Sequence, residues 1–140
     1  MKTTIAYAEL NNELQELYLA AKVWVSELEF LEREYEFLKK LLTTALLPLV
    51  QRDTLARVSD IQLLALKTAK RQEGLKKEIG LYLQRVETYI TDSDQQLDIT
   101  LVETHAALAA ELALVKWNLG ALRTQVFLLS KEGKNEYSTH

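Results

Sequence analysis

From Leu10 to Leu42 the apolar residues advance by alternating steps of four and three: Leu10, Leu14, Leu17, Ala21, Trp24, Leu28, Leu31, Tyr35, Leu38 and Leu42. A heptad seam sustained over roughly four repeats or more belongs to a long helix packed lengthwise against other helices. It stops near Leu46, Leu47 and Pro48. Proline disfavours helical geometry in the residue before it and has no N–H to continue the ladder.

Two further seams follow. The second reads Val58, Ile61, Ala65, Thr68, Gln72, Leu75, Ile79, Tyr82 or Leu83, Val86 and Ile90, with Asp53 or Thr54 as a possible N-cap. Its middle, "KTAKRQEGLKK", is weak, because small or polar residues hold seam positions and Gly74 costs about 1 kcal/mol against Ala. In "TDSDQQ", Ser93 and Gln96 have capping-box spacing, and Asp94 suits the positive end of a helix dipole. The third seam is Leu97, Leu101, Thr104, Leu108, Leu112, Val115, Leu119, Leu122, Val126 and Leu129.

With 4 Gly and 1 Pro in 140 residues, little interrupts these helices. The expected bounds are 4–47, 52–90 and 93–131, forming a single bundle over 1–132 with a flexible tail at 133–140. Helices of ~40 residues run ~60 Å, and short connections force neighbours to be antiparallel. The expected fold is all-α: an elongated up-down-up antiparallel three-helix bundle with coiled-coil-like heptad packing. In architecture this layout resembles spectrin-like bundles and other small coiled-coil proteins in general.

Charge and size suggest a register. Lys/Arg against Asp/Glu count 5 to 8 over residues 1–50, 8 to 5 over 51–90 and 4 to 7 over 91–140. If the first turn centres near residue 50, facing residues of the first two helices total about 100. Glu27, Glu29, Glu32, Glu34 and Glu36 then lie beside Lys67, Lys70 and Arg71, a match that sets register more than stability. Trp24, Phe30 and Tyr35 fall opposite Ala65, Ala69 and Gly74, and near the alanines Ala106, Ala107, Ala109, Ala110 and Ala113. Large residues facing small ones would keep a thin bundle densely packed.

Several function classes lose support. The chain has no Cys, so thiolate chemistry, disulfides and Cys-based metal sites are excluded. "MKTTIAYAELNNEL" has no apolar stretch suited to a signal peptide, and "LLTTALLPLV" is about half of what a bilayer span needs. A cytoplasmic location with no membrane partner is expected. A ferritin-like site needs Glu-x-x-His, but Glu103 stands two before His105, and such residues do not share a helical face. Glu136 and His140 fall in the expected tail. No metal ligands, cofactor or catalytic residues are therefore expected. Lys67, Lys70, Arg71, Lys76 and Lys77 could serve nucleic acid, but Glu73 and Glu78 interrupt them without aromatic interleaving. No nucleic-acid partner is expected.

What remains is a second stripe. Val23, Phe30, Phe37 and Leu41 point roughly 150° from the first helix's seam, and Leu114, Trp117, Ala121 and Leu128 repeat this on the third. A helix in a three-helix bundle touches two neighbours, so two stripes can be internal packing. An inward face is typically a single arc of ~100° or somewhat more, and the wider separation equally suits an interface. These eight residues are the candidate interaction surface. The expected function is non-enzymatic protein–protein association as a scaffold, adaptor or small subunit, with a homodimer or a helical partner. A metal-dependent or other helical-bundle enzyme is the alternative, and nucleic-acid binding by the basic middle of helix 2 a further one.

Overall fold

A computed structural model describes the backbone of residues 2–49, 54–91 and 98–138, and the side chains of 12–48, 54–91 and 98–131. The described residues form a bundle of three long helices: α1 (Lys2–Lys40), α2 (Leu55–Thr91) and α3 (Ile99–Ser138). Leu10, Asp53, Leu97 and the expected cap residues Ser93, Asp94 and Gln96 lie outside the described side chains, as do Glu136 and His140. The described part of α3 opens at Ile99, where the Asp98 carboxylate accepts the Thr100 N–H at 3.0 Å. The Asp98 carbonyl accepts the Leu101 N–H. These bonds satisfy N–H groups that a helix start leaves unpaired, and the hydrogen bonds from Thr100 hold the Asp98 carboxyl below its ordinary pKa.

The end of α1 is less regular than the expected helix to 47. After Lys40 the chain widens into a π-helical segment, Leu41–Leu46, and then tightens into a 3-10 turn, Leu47–Leu49. The Leu47 N–H reaches the Leu42 carbonyl, five residues back. Pro48 is the physical reason. In α geometry its ring would clash with the carbonyl four residues earlier, at Thr44, and a wider turn moves that carbonyl aside. The hydroxyls of Thr43 and Thr44 bond back to the carbonyls of Lys39 and Lys40, occupying acceptors that the widening frees. Leu42 and Leu46 stay buried through the change.

Packing groups the chain into two compact units, to which each helix contributes a portion. The first holds residues 1–28 and 73–113. Its core is Leu14, Ala21 and Leu28 against Leu75, Ile79, Tyr82, Val86, Leu101, Leu108 and Leu112. Direction can be read from its hydrogen bonds: Tyr82 meets His105, Arg85 meets Thr100 and Tyr89 meets Asp98, so α2 and α3 run antiparallel. Tyr18 of α1 donates to Glu87 at 3.0 Å.

The second unit holds residues 29–72 and 114–140. Leu31, Tyr35, Leu38, Val58, Ile61, Ala65, Val115, Leu119, Leu122 and Val126 are buried there. Three buried polar residues sit among them. The Thr68 hydroxyl donates to the Leu64 carbonyl at 2.7 Å, and Gln72 reaches the Leu31 carbonyl at 3.4 Å. Asn118 is buried, and its Nδ2 has no hydrogen-bond partner.

Two register arguments are revised. Leu31 with Gln72 carries numbers totalling 103, within one turn of the expected 100, and Tyr18 with Glu87 totals 105, within two turns of it. The charge match differs at Glu34, which is held by Arg123 of α3. The size match fails at Phe30, which is exposed, and at Gly74, where an added Cβ would meet nothing within 4 Å. Ala106, Ala107, Ala110 and Ala113 are also exposed, so they make no inward notch. The reason is helical phase: these residues lie off the seams that the heptads close.

Candidate interaction face

The second unit carries an ion pair between helices with aromatic residues around it. Arg123 of α3 engages the Glu34 carboxylate through both Nε and Nη2. Both nitrogens reach the same oxygen, Oε1. The pair identifies which side of α1 meets α3. Phe30 and Phe37 stand four residues before and three after Glu34, so they share its side of the helix. Phe127 stands four after Arg123 and shares its side of α3 by the same rule.

All 3 phenylalanines of the chain are therefore around this ion pair. Their exposures are 65% for Phe30, 62% for Phe37 and 52% for Phe127, and Trp117 is 72% exposed. Phenylalanine ranks among the residues most often buried in folded proteins. Here the core is aliphatic with two tyrosines, Tyr35 and Tyr82, and no phenylalanine enters it. The four exposed rings present on the order of 500 Å², given 150–250 Å² for a whole aromatic side chain.

The other expected surface residues are distributed as follows. Leu114, Ala121 and Leu128 recur every seven residues on the far side of α3, roughly 140–180° round from Arg123, with both leucines exposed and Ala121 half-buried. Leu41 is half-buried at the start of the π segment. Val23 is exposed but belongs to the first unit. Phe127 and Arg123 were not singled out by sequence. A signal was available for Phe127, an aromatic one position past the seam residue Val126. None was available for Arg123, since pairing across helices needs a register finer than one turn.

Two open depressions lie on the α1 surface beside this face. One is lined by Glu29, Glu32, Arg33 and Glu36, the other by Glu36, Phe37, Lys39, Lys40 and Thr43.

The first unit has a different cluster. His105 lies against Trp24 with ring centroids 4.4 Å apart and planes tilted by 39°, and its Nδ1 lies 3.1 Å from the Tyr82 hydroxyl. One side chain from each helix thus meets at a single joint. Burial lowers the His105 pKa, and burial pushes Tyr82 up to about 12. Both are then neutral near pH 7, and the hydroxyl donates when Nδ1 is unprotonated. Among the described residues no group of three His, Asp or Glu is placed to hold a metal ion, and no helix is long and apolar enough to cross a membrane.

No family model, no curated protein and no solved structure matches this chain.

Proposed function

We propose that this chain works by association, as a scaffold, adaptor or small subunit rather than as a catalyst. A partner protein docks on the α1–α3 side of the second unit, and Phe30, Phe37 and Phe127 are its anchors, with exposed Trp117 further round α3. The observation supporting this is the inversion of phenylalanine burial: every Phe lies more than half exposed around one ion pair. The largest apolar patch of a monomer usually spans ~300–600 Å², and those at the upper end are often functional. Aromatic residues with a neighbouring arginine are also the composition of contact hot spots.

The test is site-specific photo-crosslinking in the cells that make the protein. A photoreactive side chain at position 37 or 117 should give covalent adducts containing protein. The same group at Gln62, exposed on α2 of the same unit, should give none. Equal labelling at all three positions, or none at 37 and 117, would refute the assignment.

A further inference from the structure

We propose that Trp24, Tyr82 and His105 form an acid-sensitive latch. With Nδ1 unprotonated, His105 accepts from Tyr82 and closes the first unit; a proton taken from solvent onto Nδ1 loosens that unit and leaves the second unchanged. The inference is independent of the association reading above.

Histidine is the side chain whose ordinary charge change falls between pH 5 and 8. Among the described residues His105 is the only one, and it lies in the first unit. It also touches both other helices, with Trp24 of α1 against its ring and Tyr82 of α2 at Nδ1. Mild acid therefore acts at one joint, and that joint holds a side chain from each helix.

Tyr82 makes the contact sensitive to the proton. Its side chain is 1% exposed, and Nδ1 of His105 is the acceptor for its hydroxyl. An unprotonated ring nitrogen accepts, whereas both nitrogens of the imidazolium are donors. The hydroxyl can turn to accept from the charged ring, but its own proton then loses this acceptor. A buried donor left without a partner costs stability, and so does a cation held partly out of water.

The surrounding charges act in both directions. On α1, Glu27 stands three residues after Trp24; on α2, Glu78 and Arg85 stand one turn either side of Tyr82. On α3, Glu103 stands two residues before His105, and the positions three and four residues away are uncharged. Carboxylates and an aromatic face favour a cation, and Arg85 opposes one. Burial outweighs the favourable contributions and holds the His105 pKa below 6.5. The unfolded chain thus takes up the proton first, and opening becomes easier as pH falls from 6.5 toward the lower folded value.

Two measurements on the full-length chain test this. NMR titration of the His105 ring, assigned by the signal that His105→Gln removes, should give a midpoint below 6.5. Tyr82→Phe, which takes away the hydrogen bond to the neutral ring, should move that midpoint up. Amide hydrogen exchange, corrected for its intrinsic pH dependence, should report the opening. Protection over 79–86 and 101–112 should fall between pH 7 and 5, while protection over 58–65 and 115–126 stays level. In His105→Gln, which keeps an acceptor but takes no proton in this range, the fall should vanish. A midpoint at or above 6.5, or one indifferent to Tyr82→Phe, overturns the latch. So does a loss of protection that is equal in both units or that persists in His105→Gln.

Discussion

Gly74 and Gly80 are exposed residues inside α2, and an added Cβ at either meets nothing within 4 Å. Glycine there only adds freedom to the unfolded chain. Gly74→Ala and Gly80→Ala should each stabilise the protein by about 1 kcal/mol, measured as a higher urea midpoint with an unchanged slope. His105 and Tyr82 predict opposite pH limits. The folded-state pKa of His105 is lowered from 6.5, so the unfolded chain takes up its proton first as pH falls. Stability is full above that value and declines as pH drops through 6.5 toward the lower folded pKa. Tyr82 is raised from 10.0 to about 12, so its contribution is full below pH 10 and is lost as pH rises toward 12. Thermal melts of wild type against His105→Phe and Tyr82→Phe should separate the two. Each variant should lack its own limb of the pH profile and keep the other.

At the scale of the helix, the seams were legible and the ends and flanks were not. Every described seam position from Val58 to Val86 of α2 is buried, including Thr68 and Gln72, whose polarity made that stretch look weak. Periodicity survives polar substitution because a helix cannot turn one residue outward without turning its neighbours. The π-helical close of α1 left no such trace, since it arises from one ring clash at Pro48 rather than from a repeat. Asn118 was missed because it stands one position before the seam residue Leu119. Its buried, unpartnered amide costs stability on the order of 1–3 kcal/mol. Asn118→Leu should recover part of that, seen as a higher melting temperature. Leu119→Ala, beside it and fully buried, should lose about 2–5 kcal/mol. Asp98→Ala should lower the melting temperature by uncapping α3, and Asp98→Asn should largely preserve it.

For the molecule as a whole, the second apolar stripe was visible in sequence, but its composition became informative only with coordinates. Spacing alone ranked Leu114 and Ala121 with Phe37. Burial and the Glu34–Arg123 pair instead centre the face on the phenylalanines. Aliphatic side chains thus close the two units, while all three phenylalanine rings stay exposed. Phe30→Ser should therefore leave the melting temperature of the isolated chain nearly unchanged while weakening association, a split that a core phenylalanine could not show. The two tryptophans fall one to each unit, Trp24 against His105 and Trp117 open to water. The protein consequently carries its own pair of optical probes. With Trp24 replaced by Phe, the remaining emission comes from exposed Trp117 and should shift to the blue if a partner covers it. With Trp117 replaced instead, the glow comes from the histidine joint and follows the melting of the other half.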